Sequence, residues 1–253
     1  MFLCLVLTNA RPSRSSSTAS CTPTCPRCAS HARSFSWTTA PPDGSLDEVR
    51  AYMKKHPHFP ITVLRNETTR GKGYCVRKAL AHANGDFAIV QDADLEYFPE
   101  DWAGLLEPLV RGETDVVYGS RKMRPSGPYP GRAMFDLALA IENTALWFCY
   151  GVPLTDVATC YKAFRTDLLR SLELMSDGFA FCPEVTCRLL SRGVPIVERP
   201  IRYLPRTRRD GKKKSKRATC SPRSTKSRVA ASGSGPDGAR RRPAPVKPRK
   251  DAS

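Results

Sequence analysis

The sequence predicts an α/β fold in which helices cover a mainly parallel sheet. Short apolar runs of strand length alternate along the chain with longer segments of helical period, which is the pattern of a layered α/β protein. The most apolar of these runs, Phe87 to Val90, leads directly into several acids. The fold class and a candidate site therefore emerge from the same stretch of sequence, because open α/β sheets bind ligands at the carboxyl ends of their strands.

The distribution of charge separates a nearly neutral middle from basic ends. The 253 residues carry a formal charge of +17, of which +14 lies in residues 206–253 and +4 in residues 1–37. A basic tail favours anionic partners such as lipid headgroups, acidic proteins or nucleic acid. Nucleic-acid binding is the less favoured of these, because no aromatic residue follows Tyr203 to stack on bases.

The predicted elements follow one another in a regular order between residues 45 and 203. Apolar residues at helical spacing, with glycines just after several of the segments, define the helices, while short β-branched or aromatic runs define the strands. The predicted helices are 46–55, 72–84, a segment within 100–110, 132–150, 167–174 and 182–192. The predicted strands are 61–64, the run ending at Asp92, 115–118, 160–164 and 196–203.

Composition divides the chain into three parts. We expect residues 1–42 to be irregular, residues 43–214 to form the folded domain and residues 215–253 to be a basic disordered tail. No run of ~18 apolar residues predicts a membrane span, and the start of the chain does not resemble a signal peptide. Ten cysteines, several of them in apolar segments, favour a reducing compartment. We therefore expect a cytoplasmic protein, peripheral to a membrane.

Three acids at alternate positions form the candidate metal site. Asp92, Asp94 and Glu96 would leave an extended backbone on one face. Carboxylate oxygens suit Mg²⁺ or Mn²⁺, which neutralise phosphates. The same acids could instead solvate a turn or cap the next helix. A calcium loop of the EF-hand kind is excluded, because Tyr97 and Ala103 stand where it requires Gly and Glu.

Basic residues follow other predicted elements at the same edge of the sheet. The segment Gly71-Lys72-Gly73 opens a helix, whose free amides and dipole favour an anion. Arg121 follows a strand, and Arg206 and Lys212 follow the last one. Each of these residues alone is more often a solvated charge or part of a glycine turn. Their convergence with the three acids predicts a site for phosphate groups.

Six segments together resemble the family 2 glycosyltransferases, in particular polyprenyl-phosphate sugar synthases of the dolichyl-phosphate mannose synthase type. The resemblance extends from about residue 43 to residue 214, and the order and spacing of the segments make it specific. The segments are 71–73, Gln91 to Tyr97 with the Asp92-Ala93-Asp94 motif, Asp115 to Arg121, Leu154 to Lys162, Phe179 to Glu184, and Glu198 to Lys212.

This resemblance implies a Rossmann-like GT-A nucleotide-sugar transferase fold. It also implies metal-dependent, inverting transfer of a hexose, mannose or glucose, from a GDP- or UDP-sugar to a polyprenyl phosphate. The positions that match Asp92, Ala93, Asp94 and Glu96 surround the metal and the donor diphosphate, and Asp94 and Arg121 are expected to be catalytic. Lys72, Arg121, Arg206 and Lys212 are expected to contact phosphates.

Three alternatives remain open at this point. A related transferase acting on a saccharide or another acceptor would place a catalytic base near Asp156. An inactive, truncated relative is a second reading, and a basic nucleic-acid-binding protein is a third.

The first 42 residues depart from the family pattern. The family begins with two strands whose ends bind the base and ribose of the donor, and of these only Asp43-Gly44-Ser45 is recognisable here. Codons for a family-like Val-Asp-Asp-Cys-Ser-Thr, read one base off, can spell Trp-Thr-Thr-Ala-Pro as in residues 37–41. We therefore hypothesise that residues 1–42 are translated out of frame; a gene sequence that encodes them in frame would remove this idea.

Overall fold

The computed structural model describes residues 2–8, 32–39, 44–58, 61–68, 70–124 and 132–206. These residues belong to one compact unit, Met1–Lys212. The strands are β1 (Phe2–Thr8), β2 (Ala32–Thr39), β3 (Ile61–Asn66), β4 (Phe87–Asp92), β5 (Val116–Ser120), β6 (Lys162–Arg165) and β7 (Val197–Pro200). The helices are α1 (Ser45–Lys55), α2 (Lys72–Ala81), α3 (Trp102–Val110), α4 (Arg132–Tyr150), α5 (Thr166–Ser171) and α6 (Phe181–Ser191).

The strands form one mixed sheet in the order β3-β2-β1-β4-β6-β5-β7. Strands β2, β3, β4, β5 and β7 run in one direction, whereas β1 and β6 run in the other. The predicted α/β layering is therefore present, and most strands share a direction. The two reversed strands lie in the middle of the sheet, so that four of the six neighbouring pairs are antiparallel.

The predicted elements between residues 45 and 203 are all present, with ends that differ by no more than three residues. The expectation of irregular structure in residues 1–42 does not hold for two segments. Phe2–Thr8 pairs with both β2 and β4, and Ala32–Thr39 pairs with β3. An apolar run as short as Phe2 to Leu7 is long enough for a strand beside a buried partner. The out-of-frame origin and the domain boundaries remain predictions.

The central strand β4 has a core on each face, because all six of its residues are buried and their side chains alternate. Ala88 and Val90 pack in a cluster with residues of α2, α5 and α6. Phe87 and Ile89 pack in a second cluster with residues of α3. Helices thus cover both faces of the sheet, which leaves its edges as the places where a ligand can reach strand ends.

Helix α4 is buried along one side and exposes an apolar stripe along the other. Leu139 and Leu146 are buried in a third cluster. The exposed stripe consists of residues three, four and seven positions apart, Met134, Leu137, Ile141 and Phe148, which are 60–86% exposed. In the described parts of the chain no helix combines the length and apolar character needed to cross a membrane.

Candidate active site

The topology brings the predicted site residues to one edge of the sheet. Strands β4 and β5 are each antiparallel to β6, so both run the same way, and Asp92 and Arg121 lie at the same edge. Strand β7 is parallel to β5 and carries the chain towards Arg206 at that edge. The loop from Gly151 to Tyr161, which leads into β6, lies there as well.

The acidic segment is a turn after Asp92, not an extended strand. Strand β4 ends at Asp92, and Leu95 has a left-handed backbone with φ of 60°. The side chain of Asp94 accepts a hydrogen bond from the Glu96 amide at 3.2 Å, which stabilises the turn. The sequence-based geometry, with three carboxylates on one face of a strand, is therefore wrong beyond Asp92, because the pleat that would align them has ended.

The first acid, Asp92, is paired with a buried lysine. Lys72 donates to both carboxylate oxygens of Asp92, at 2.8 and 3.0 Å. The side chains of Lys72 and Asp92 are only 1% and 8% exposed. Burial alone would lower the pKa of Lys72, but the negative charge of the adjacent Asp92 carboxylate outweighs burial and raises this pKa. Nearby, burial raises the pKa of the Cys160 thiol to about 12, so Cys160 is neutral at pH 7 and Asp92 supplies the balancing charge.

The role expected for Lys72, a contact to phosphate, differs from what this geometry supports. Its ammonium points into the protein, at Asp92, instead of out to a ligand. The amides that begin α2 are also occupied, because Gly73 and Tyr74 donate to the carbonyls of Gly178 and Asp177. A Cβ on Gly73 would lie 2.0 Å from the Ser176 carbonyl, so this glycine permits a close backbone approach. The predicted anion site at the start of α2 is therefore filled by the protein's own loop.

The second acid, Asp94, is the most accessible carboxylate of the three. Its side chain is 28% exposed, and its Oδ2 lies 3.8 Å from Nη2 of Arg206. Burial raises the pKa of Asp94, and the neighbouring carboxylates of Asp92 and Glu96 raise it further. The exposed Ala93 separates Asp94 from Asp92. The ionised form of Asp94 is therefore destabilised by its acidic neighbours, and a bound cation would stabilise it.

The third acid, Glu96, binds the segment that follows β7. One oxygen accepts the hydroxyl of Tyr203 at 2.7 Å, and the other accepts the backbone amide of Arg206 at 3.0 Å. The Arg206 guanidinium is held loosely by comparison: its buried Nε is 3.6 Å from Glu96 and finds no hydrogen-bond acceptor among the described residues. Glu96 therefore places Arg206 beside the acidic turn and leaves its guanidinium with unused donor capacity.

Arg121 forms a buried, two-pronged ion pair with Asp156. Its Nε and Nη2 donate to the two carboxylate oxygens at 2.7 and 2.6 Å, and its backbone amide donates at 3.0 Å. Asp156 is fully buried, and the Arg121 side chain is 10% exposed. Burial alone would lower the pKa of Arg121, but the hydrogen-bonded Asp156 carboxylate overcomes burial and raises it.

Two aromatic rings connect Arg121 to the rest of the site. The Arg121 guanidinium carbon lies 4.7 Å from the ring centroid of Phe135 on α4 and 5.2 Å from that of Tyr203. Tyr203 in turn bonds to Glu96. The structure thus joins Arg121, Glu96 and Arg206 through Tyr203, as convergence at one edge predicts. Lys212 lies outside the described residues, and its role stays a prediction.

A polar scaffold that sequence reasoning did not single out fixes the loop that carries Asp156. The Glu198 carboxylate accepts the amide of Thr155 at 2.8 Å and that of Asp156 at 3.0 Å. The Asn143 side chain donates to the Thr155 carbonyl and accepts the Val157 amide. The sequence does not predict the role of Asn143, because a single polar residue in an apolar helix belongs to no recognisable motif. Glu198 lay within a matched segment but had no assigned role.

The acids suit a cation whose coordination shell is completed by ligand phosphates better than a cation that is bound only by protein side chains. Among the described residues, no three His, Cys, Asp or Glu side chains are grouped to hold a metal ion. Asp92 and Glu96 are already bonded to Lys72 and Tyr203. Asp94 is the carboxylate of the three that is most accessible to a cation, and Mg²⁺ commonly takes one or two carboxylates plus phosphates and waters. The donor set therefore fits a divalent ion at Asp94, although not the predicted three-carboxylate chelate.

Comparison with known proteins gives concordant matches. The family model described as glycosyl transferase family 2 matches residues 40–172. An undecaprenyl-phosphate mannosyltransferase of Micrococcus luteus is 32% identical over 177 residues, covering 66% of this chain and 70% of that protein. A dolichol-phosphate mannosyltransferase of Pyrococcus furiosus is 25% identical over 69% of this chain. The chain spans about half the length of that relative, 49%.

Among solved structures, a glucosyl-3-phosphoglycerate synthase from Mycobacterium tuberculosis is similar to this chain with a TM-score of 0.49 and 20% identity. The match covers 69% of this chain and 61% of that one, whose structure contains Mn²⁺, UDP-glucose and phosphoglyceric acid.

Proposed function

The chain belongs to glycosyl transferase family 2, and from this premise we propose that it transfers a hexose from a nucleotide sugar to a polyprenyl phosphate. The observation that carries the proposal is an acidic turn and a loosely held arginine beside a helix with an exposed apolar stripe. The acidic turn, with a bound divalent ion, and Arg206 suit a diphosphate. The apolar stripe of α4 suits a lipid. The two mannosyltransferase relatives, which are named for undecaprenyl and dolichol phosphates, support the lipid acceptor.

The donor diphosphate would lie between Asp94 and Arg206. A divalent ion held by Asp94, Mg²⁺ or Mn²⁺, would neutralise the charge that develops on the leaving nucleoside diphosphate. Arg206 lies 3.8 Å from Asp94, and its buried Nε has no acceptor within the part of the chain that the structure describes, so its guanidinium would be able to turn towards a phosphate oxygen. This pair would hold the leaving group in place.

The acceptor needs no strong general base, because a polyprenyl phosphate is already an anionic nucleophile. Asp156 is the residue that a transferase acting on a saccharide would use as a base. Here both oxygens of Asp156 are bonded to Arg121, and the side chain is fully buried. This arrangement favours a phosphate acceptor over a saccharide hydroxyl. Orientation of the two reactants and electrostatic stabilisation would then provide most of the rate.

The apolar stripe of α4 gives the lipid part of the acceptor a surface near the reacting groups. Phe135, in the first turn of α4, contacts Arg121. Phe135 packs with the buried side of α4, and the stripe on the exposed side of the same helix consists of Met134, Leu137, Ile141 and Phe148. Exposed apolar patches of this kind mark sites for apolar partners. We infer that α4 lies against the membrane surface that carries the acceptor, which would make the protein peripheral to a membrane.

A transfer assay tests the proposal. The full chain is incubated with Mn²⁺, polyprenyl phosphate and labelled GDP-mannose or UDP-glucose, and the label is followed into organic solvent. We expect one of the two sugars to enter an acid-labile lipid fraction, with no transfer by an Asp94→Ala variant. Label that appears only in a saccharide fraction would support the other acceptor class. No transfer from either donor would contradict the proposal and favour an inactive relative.

The membrane contact has its own test. Leu137→Glu and Ile141→Glu place charges on the exposed stripe, and Glu142→Gln is a matched control on the same helix. We expect the first two variants to lose binding to vesicles that contain polyprenyl phosphate, and the control to keep it. Unchanged vesicle binding by both stripe variants would show that α4 is not the contact surface.

A further inference from the structure

The ammonium of Lys72 occupies the position that a cation bound to Asp92 would require. It lies 2.8 and 3.0 Å from the two carboxylate oxygens, so both oxygens already have a positive partner. The pair is almost closed to solvent, with the Lys72 side chain 1% exposed. Asp92 is therefore a member of the acidic motif whose charge is neutralised inside the protein.

The backbone that carries Lys72 is anchored to a neighbouring loop. Lys72 is the first residue of α2, and the next two amides donate to Gly178 at 3.3 Å and Asp177 at 3.1 Å. The Asp177 side chain is itself held by an ion pair with Arg70 at 3.0 Å and by Arg77. These contacts fix the backbone from which the Lys72 side chain extends, and the two hydrogen bonds to Asp92 hold its buried ammonium in the site.

We propose that Lys72 prevents divalent cations from binding at Asp92 in the absence of nucleotide, so that metal binds only together with the donor diphosphate. This inference rests on the proposed function. A divalent ion at Asp92 would lie close to the ammonium in a partly dry environment, where like charges repel strongly. Asp94 alone offers a single exposed carboxylate, and such an ion needs phosphate oxygens to complete its shell. Lys72 thus links metal binding to nucleotide binding.

The experiment measures Mn²⁺ binding to the full chain by the electron paramagnetic resonance of free Mn²⁺, with and without GDP. For the wild type we expect Mn²⁺ affinity to be at least tenfold weaker without GDP than with it. Lys72→Met leaves Asp92 without its partner and should tighten nucleotide-free Mn²⁺ binding at least tenfold. Lys72→Arg keeps the charge and is the matched control, which should behave as the wild type.

Three further variants test the proposal, and the two single ones do not rely on the folding of Lys72→Met. Asp92→Asn should leave Mn²⁺ affinity in the presence of GDP within threefold of the wild type, whereas Asp94→Asn should weaken it at least tenfold. In the double variant Lys72→Met/Asp92→Asn, which removes both charges, nucleotide-free binding should be as weak as in the wild type.

The outcomes separate the two proposals. Equal losses in Asp92→Asn and Asp94→Asn, or unchanged nucleotide-free binding in a folded Lys72→Met variant, would overturn the role of Lys72 and leave the transferase proposal standing. Wild-type protein that binds Mn²⁺ equally well with and without GDP would also overturn the role of Lys72. Wild-type protein that binds neither Mn²⁺ nor GDP would overturn both.

Discussion

Arg121 and Arg206 lie at the same edge of the sheet, but they contact carboxylates in opposite ways. Arg121 makes three hydrogen bonds to a fully buried Asp156, at 2.6–3.0 Å. The Arg206 side chain is 38% exposed and lies 3.8 Å from Asp94 and 3.6 Å from Glu96. The sequence predicts that both arginines bind phosphate and that Arg121 is also catalytic, and both roles remain predictions.

The difference separates a residue that shapes the site from one that is available to a ligand. Asp156 accepts from Nε and Nη2 of Arg121, and the guanidinium carbon lies 4.7 and 5.2 Å from the ring centroids of Phe135 and Tyr203. Arg206 keeps a buried nitrogen without an acceptor among the described residues. Arg121 therefore joins the turn after β5 to the loop that carries Asp156, and under the proposed function Arg206 is the arginine that would move to a phosphate.

The largest expected effect is on stability, from removal of Asp156. Asp156→Ala leaves the buried Arg121 without its partner, and breaking a buried pair in this way costs about 3–5 kcal/mol. The matched change at the other arginine, Asp94→Ala, should alter the free energy of unfolding by less than about 0.5 kcal/mol or raise it, because that pair is long and partly exposed. Urea unfolding measures both. Equal destabilisation by the two variants would show that the two ion pairs contribute equally to stability, which contradicts the difference described above.

The next effect is on donor binding. Arg206→Ala removes the guanidinium that is available to the diphosphate, and a hydrogen bond to a charged group contributes about 1.5–3 kcal/mol, or roughly 10–150-fold in affinity. We expect the Kd for GDP in the presence of Mn²⁺ to rise by that factor in a calorimetric titration. The free energy of unfolding should change little, since the main-chain bond of Arg206 to Glu96 remains. A normal Kd would mean that Arg206 does not contact the donor.

The smallest effect is a gain of stability on neutralising Asp94. Burial and the neighbouring acids raise the pKa of Asp94 above its unfolded value, so the folded state holds the proton more tightly and the carboxylate is unfavourable at pH 7. Asp94→Asn should therefore raise the free energy of unfolding at pH 7 by about 0.5–1 kcal/mol, or Tm by about 1–3 °C. Thermal unfolding at several pH values measures this gain.

The pH dependence of that gain provides its control. The advantage of Asn should be complete above the folded pKa of Asp94 and should vanish as the pH falls below about 4, where the acid is protonated in both states. A destabilised Asp94→Asn variant at pH 7 would show that the acids do not repel one another as the raised pKa of Asp94 indicates.

The sequence predicts the order of elements well because each one has its own local pattern. Strand β4 is a continuous apolar run, and the exposed and buried sides of α4 alternate at helical spacing. The edge at which the site lies follows from strand direction alone. The partners of Lys72 and Arg121 are not predictable in this way, since they lie 20 and 35 residues away and depend on how loops return to the edge.

The sequence predicts the wrong geometry for the turn after Asp92. Acids at alternate positions predict an extended strand with the carboxylates on one face, but Leu95 adopts a left-handed backbone that the local sequence does not predict. The sequence does not predict the strands within residues 1–42, because the Ser-, Thr-, Pro- and Arg-rich composition of this part of the chain indicates irregular structure. The pairing of these strands with β3 and β4 is a tertiary effect.

A crystal structure of the chain with Mn²⁺ and GDP tests the central claim most directly, because anomalous scattering locates the manganese. The proposed function predicts a manganese peak on the Asp94 carboxylate, with the diphosphate between that ion and Arg206 and with Lys72 still bound to Asp92. A manganese peak away from Asp94, or a diphosphate that contacts neither Asp94 nor Arg206, would contradict it.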